Sequence, residues 1–261
     1  MNLRSRGRKL LVPYVTAGVS DNWLDHVHAA VDAGADAVEI GIPFSDPVID
    51  GPVIQAASVR ALERGTTPST VARDLARYRG DVPLIAMTYY NLAHNLGLAE
   101  FADLLVSAGI AGTILPDLPI EESAPWERAA ADAGLAAVLL AAPTTPDDRL
   151  AEICRRSRGF VYGMGLLGVT GERPDLATSA RTMARRITAV TDLPALIGVG
   201  VSKPEHAATL ATDADGVIVG TPVVRRILES DDADQVATLV AQFRTALDTA
   251  APPTRAFAAA G

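Results

Sequence analysis

Asp32-Ala33-Gly34-Ala35-Asp36 closes an amphipathic stretch on a glycine and then opens an apolar run. A glycine just past the last helical residue takes up the left-handed backbone that ends a helix. The same cue returns at Ser107-Ala108-Gly109-Ile110-Ala111 and at Asp132-Ala133-Gly134-Leu135. Helix, glycine and strand, repeated along one chain, mark consecutive β–α units. Working outward from these points, short apolar runs at 10–16, 35–40, 82–88, 112–115, 136–141, 159–162, 194–199 and 216–219 make eight candidate strands. They are apolar throughout, as parallel strands covered on both faces are. Ala-rich amphipathic stretches at 22–33, 70–79, 98–108, 121–133, 147–155, 179–190, 204–211, 223–228 and 234–249 supply the helices, with one more near Val53.

Eight such units in 261 residues predict a closed (β/α)8 TIM barrel of the α/β class, one domain spanning 1–261 with a frayed tail from 250. An open doubly wound sheet would carry a dinucleotide fingerprint after its first strand, and Ala17-Gly18-Val19-Ser20 is not one. The composition agrees: 49% hydrophobic and 21% charged residues suit a globular chain. A net charge of −8 argues against nucleic acid as a partner. The single cysteine, Cys154, precludes an intrachain disulfide or a thiolate metal cluster. No apolar run is long enough to cross a bilayer and the first residues lack a signal-peptide layout, so a cytoplasmic location is expected.

In a barrel of this kind the chemistry sits where the strands end. After the second candidate strand comes Glu39-Ile-Gly-Ile-Pro-Phe-Ser-Asp46-Pro-Val-Ile-Asp50-Gly-Pro-Val-Ile-Gln55. Glu39 stands among Val38, Ile40 and Ile42, and poor hydration there raises a carboxyl pKa toward the range of general acid–base work. The plainer reading makes Asp46 and Asp50 solvated loop acids and Glu39 a structural hydrogen-bonding group. The sixth strand leads into Tyr162-Gly-Met-Gly-Leu-Leu-Gly168-Val-Thr170-Gly171, whose glycines suit a lid or a plain connector over about 163–177. Gly198-Val-Gly200-Val-Ser202 and Gly216-Val-Ile-Val-Gly220-Thr221-Pro222 follow the last two strands, where such barrels commonly bind phosphate at a helix N-terminus.

Lys9 and Lys203 both fall outside the candidate strands, which disfavours a Schiff base. His26, His28 and His206 fall in helical patterns, where a solvated face is the usual outcome, and no metal-ligand spacing is visible. These residues describe an acid–base enzyme acting on a phosphorylated small molecule, working with carboxylates and without a metal.

The stretch from Glu39 to Gln55 resembles the signature of tryptophan synthase α subunits. Val12-Pro-Tyr-Val-Thr-Ala-Gly, Asp117-Leu-Pro-Ile-Glu-Glu-Ser, Gly159-Phe-Val-Tyr, Gly168-Val-Thr-Gly and Gly198-Val-Gly-Val-Ser agree in order, from about Leu11 to about Leu247. The resemblance implies cleavage of indole-3-glycerol phosphate to indole and glyceraldehyde 3-phosphate, a retro-aldol step without cofactor. It implies Glu39 as the acid–base group and Asp50 as the acceptor of the indole N–H. It places Tyr14, Tyr89 and Tyr162 in the substrate pocket, with Thr170 also at the substrate and Gly171, Gly200, Gly220 and Thr221 at the phosphate. It implies a tryptophan synthase β subunit as partner in an α2β2 complex, with the loop around Asp46 facing it. The chain departs from the family in a short stretch before the first strand, in residues 163–167, and at Val199, where a larger side chain is usual. Those departures bear on lid closure and the partner. They leave room for a stand-alone lyase releasing free indole or, more distantly, for a non-catalytic phosphate-binding barrel or another phosphate-binding barrel enzyme.

Overall fold

The computed structural model describes residues 8–165, 175–198 and 200–250. Its strands are β1 (Leu10–Thr16), β2 (Val38–Gly41), β3 (Leu84–Met87), β4 (Ile110–Ile114), β5 (Ala136–Ala141), β6 (Val161–Met164), β7 (Ala195–Gly198) and β8 (Gly216–Val219). They run parallel and pair in chain order, and β8 pairs back onto β1 through Leu10↔Gly216 to Pro13↔Val219, which closes the barrel. Around it lie α1 (Trp23–Asp32), α2 (Pro52–Glu63), α3 (Pro68–Leu75), α4 (Tyr90–Leu96), α5 (Leu98–Ser107), α6 (Ala124–Asp132), α7 (Asp147–Arg156), α8 (Asp175–Thr188), α9 (Pro204–Leu210), α10 (Thr221–Ser230) and α11 (Ala233–Asp248).

The glycine cue that pointed to β–α units is borne out in atomic terms. Gly34, Gly109 and Gly134 have φ of +100°, +80° and +79°. After α1, the Gly34 amide donates to Val31 O at 2.9 Å and the Ala35 amide to Ala30 O at 3.1 Å. After α6, Gly134 and Leu135 bond Ala131 O and Ala130 O in the same way. This paired closure satisfies the last helical carbonyls. It also uses up Ala35, so β2 begins at Val38 and not at residue 35.

Two hydrophobic layers follow from the strand period of two. Side chains including Val12, Ile85, Ile114, Val138, Phe160, Leu196 and Ile218 fill the barrel interior. Their neighbours, such as Leu11, Val15 and Ile40, pack outward against the helices. Because both faces are buried, the strands read as unbroken apolar runs. The bounds of β1, β5 and β8 agree with the sequence reading, whereas β4, β6 and the remaining strands shift by one to three residues at one or both ends.

Two features depart from expectation. The helix α4 has no counterpart in the sequence reading, because it is seven residues long and of these only Ala93 is buried. His26 is not on a solvated face: it is 0% exposed and lies on the buried side of α1 with Trp23, Leu24, Val27 and Ala30. The helical period places it there, and a carboxylate on another element receives its ring nitrogen.

Candidate active site

The strand ends position the site. Glu39 follows Val38 on β2 and stands in register with Tyr14 of β1 and Ile85 of β3, both of which face the interior. Its side chain is therefore inside the barrel near the ends of the strands, and it is 1% exposed. Its Oε2 has no hydrogen-bond partner among the described residues. Burial is the main force on the carboxyl and the charge of Asp50 adds to it, pushing the pKa up to about 8. A structural glutamate would have spent its oxygens on donors, as buried polar groups nearly always do. Glu39 is instead held protonated near neutral pH, where it can give a proton away.

Asp50 ends the long loop after β2, just ahead of Gly51, the N-cap of α2, and Pro52 in its first turn. It is half-buried, and its Oδ2 accepts from the Tyr89 hydroxyl at 3.1 Å. Burial raises its pKa while the Tyr89 hydrogen bond pulls it down. Tyr89 also accepts from the Ile49 amide at 3.2 Å, and its ring stacks on Phe44 at 5.0 Å. The Thr88 hydroxyl donates to Ile42 O at 3.1 Å. The loop is thus fastened to the residues that follow β3, and Asp50 is presented by that fastening.

Tyr14 and Tyr162 are buried, and both phenols are raised well above their usual pKa, by burial first and then by Asp50 and Glu39. Both therefore share one electrostatic neighbourhood with the two carboxylates. Each ring leans over a glycine on the next strand. A Cβ on Gly41 would collide with the Tyr14 hydroxyl, and one on Gly198 with that of Tyr162. The absence of a side chain at those two inward positions is what lets the tyrosines reach across.

The phosphate-side residues divide by cause. Gly200 has φ +97°, a conformation that itself calls for glycine. Gly220, the N-cap of α10, has φ −96°, and a Cβ there would make only ordinary contacts with Tyr14. The protein's own packing does not demand glycine at 220. Thr221 opens α10, and no side chain caps that helix, so first-turn N–H groups are left for another acceptor. Thr170, Gly171 and Val199 lie outside the described residues, as do the first seven residues, most of the lid stretch and the tail from 251. Asp46 is exposed and accepts from its neighbour Ser45 at 2.5 Å. It lies on the loop's outer side with Val48, 75% exposed, and Ile49, 40% exposed, apart from the two coupled carboxylates.

Met87, Leu140 and Met164 escaped the sequence reading. They end or nearly end β3, β5 and β6, pack on the interior cluster and are half-buried, so they form the apolar rim of the opening. The signal was available: each stands two residues beyond an inward residue, Ile85, Val138 or Tyr162. Among the described residues no group of three or more His, Cys, Asp and Glu side chains is arranged to hold a metal ion. None of the described helices is long and apolar enough to cross a membrane.

The chain is similar to known proteins over most of its length. A family model described as tryptophan synthase alpha chain matches residues 1–251. The tryptophan synthase alpha chain of Streptomyces coelicolor is 45% identical over 233 residues, covering 88% of this chain and 86% of that one. That of Thermobifida fusca is 43% identical, with 94% and 93% covered. Among solved structures, tryptophan synthase subunit alpha from Legionella pneumophila superposes with a TM-score of 0.82 at 34% identity, covering 92% of this chain and 93% of that one. A chain of Mycobacterium tuberculosis tryptophan synthase gives 0.84 at 32% identity, with 94% and 95% covered.

Proposed function

The chain belongs to the tryptophan synthase alpha chain family, and from that premise we propose that it splits indole-3-glycerol phosphate into indole and glyceraldehyde 3-phosphate, with Glu39 and Asp50 as the working carboxylates. The observation that carries the proposal is Glu39: buried, with one oxygen unpartnered, and shifted to a pKa of about 8 beside a second carboxylate.

The chemistry needs what these groups offer. Protonation of indole C3 makes an indolenine-like cation, in which the bond from C3 to the glycerol chain becomes cleavable. Loss of the proton from the adjacent glycerol hydroxyl lets its oxygen electrons form the aldehyde. The bonding pair of the broken bond returns to the ring and restores the indole. Glu39 supplies the first proton and, once ionised, accepts the second, so the step ends with the same proton count. Asp50 accepts from the indole N–H and stabilises the charge that develops on the ring. Burial lifts both carboxyls, but Tyr89 restrains Asp50 and not Glu39, which separates an acid from an anion.

Met87, Leu140, Met164, Tyr14 and Tyr162 enclose the flat apolar ring. Gly200, Gly220 and Thr221, with Gly171, bind the phosphate, Thr170 also meets the substrate, and the open first turn of α10 offers the phosphate N–H donors. A β subunit covers the outer loop bearing Asp46, Val48 and Ile49 and receives indole within an α2β2 assembly in the cytoplasm. The test is indole release from indole-3-glycerol phosphate by the purified chain, alone and with a tryptophan synthase β subunit. Release that rises by about an order of magnitude or more with the partner is expected. No release under either condition would overturn the proposal.

A further inference from the structure

The far end of α10 is held in a manner that packing alone does not require. Its C-cap, Asp231, sits at φ 49° and ψ 36°, making it the one non-glycine residue with positive φ among the described residues. Its Oδ1 lies 2.9 Å from Nε2 of His26 on α1. His26 is fully buried, and its Nδ1 has no hydrogen-bond partner among the described residues. A leucine or isoleucine would fill this apolar side of α1 without burying a polar atom at a loss. The imidazole is accounted for by the aspartate it grips.

The consequence lies at the other end of the helix. Besides an exposed hydrogen bond from Arg226 to Gln235 at 3.1 Å, α10 is otherwise seated by Val223, Val224 and Ile227, whose apolar contacts are non-directional. A hydrogen bond to a carboxylate is directional and short, so it fixes where along its axis the helix stops. A ten-residue helix is stiff, and fixing its C-cap fixes its first turn.

We propose that His26 and Asp231 are positioning residues for the substrate's phosphate, setting the axial register of α10 and with it the placement of Gly220 and Thr221. The inference rests on the reading that this first turn meets the phosphate. It concerns what holds the turn in place, so the two can fail separately.

The test uses the full chain and two probes, glycerol 3-phosphate, which needs the phosphate site, and indole, which does not. Asp231→Gly accepts the left-handed backbone but loses the hydrogen bond, whereas Asp231→Asn keeps an acceptor and tolerates the backbone. Asp231→Gly is expected to bind glycerol 3-phosphate about tenfold more weakly and indole within about twofold of the parent. Its KM for indole-3-glycerol phosphate rises by a similar factor at nearly constant kcat, and Asp231→Asn restores both values. His26→Phe should match Asp231→Gly; should it fail to fold, the two aspartate variants still decide. Unchanged glycerol 3-phosphate binding in folded Asp231→Gly, or equal weakening of both probes, would overturn the proposal. A parent chain that binds no glycerol 3-phosphate would instead overturn the phosphate reading beneath it.

Discussion

Where the strands begin, buried charges meet opposite charges or backbone groups, although Arg244 Nε has no hydrogen-bond partner among the described residues; where they end, Glu39 meets desolvation and a second carboxylate. At the first end, Asp36 accepts from the Leu11 amide at 2.9 Å and from Arg244 at 3.0 Å, and Arg8 pairs with its other oxygen at 2.7 Å. The Lys9 ammonium donates to Ala214 O at 2.8 Å, and Asp215 accepts from the Ala195 amide at 2.8 Å. At the second end, Glu39 keeps an oxygen with no partner and its pKa rises to about 8. The first arrangement ties Arg8, Lys9 and α11 to the barrel. The second stores an unfavourable ionisation, which is how a fold makes a carboxylic acid useful near neutral pH.

The widest gap between the two ends should appear in Glu39→Gln. Turnover is expected to fall by at least ~10²-fold with substrate affinity retained. Stability should move the other way. Below about pH 4.5, folded and unfolded chains both hold the Glu39 proton, and its ionisation adds no penalty. Between 4.5 and about 8 only the unfolded chain ionises, so the penalty grows with pH and levels off above that window. The variant escapes it and gains up to roughly 4 kcal/mol at pH 8, read from denaturant melts at several pH values. A variant that is both inactive and destabilised across this range would make Glu39 a structural residue like those at the other end.

Asp36→Asn is the converse experiment. It should cost about 1–2 kcal/mol of stability by weakening the Arg8 and Arg244 hydrogen bonds, with Asp248 still 2.6 Å from Arg244, while kcat per folded molecule stays constant. A large loss of turnover in folded Asp36→Asn would erase the distinction between the ends. Tyr89→Phe sharpens the picture within the mouth. It removes the hydroxyl between Asp50 and the Ile49 amide, and a fall in kcat of about tenfold is expected. Thr221→Val should have the smallest effect, a KM raised about two- to fivefold with kcat unchanged, because backbone amides remain at that helix start.

The sequence disclosed the barrel through features that act locally. Gly34, Gly109 and Gly134 end helices by their own backbone freedom, and strands buried on both faces are apolar at most positions, Glu39, Thr16 and Thr113 being among the exceptions. Glu39 could be singled out because the fold fixes where a strand-end acid must stand, whereas Asp50 is told from Asp46 only by the resemblance of the 39–55 stretch to a known family. What stayed hidden depends on contacts between distant segments. Nothing near Tyr89 announces that its hydroxyl lies between Asp50 and Ile49, some forty residues back. His26 looks like any helical histidine until α10 brings Asp231 to it across 205 positions. Met87, Leu140 and Met164 were legible in principle, yet an unbroken apolar run does not declare which alternate residue faces inward.

The most direct measurement is a carbon-13 NMR titration of the Glu39 carboxyl in the intact chain, assigned by loss of its signal in Glu39→Gln. A midpoint near 8 is predicted, well above the usual carboxylate value of 4.5. A midpoint in the ordinary carboxylate range near 4.5 would show Glu39 ionised at neutral pH and unable to serve as the proton donor, contradicting the account at its centre.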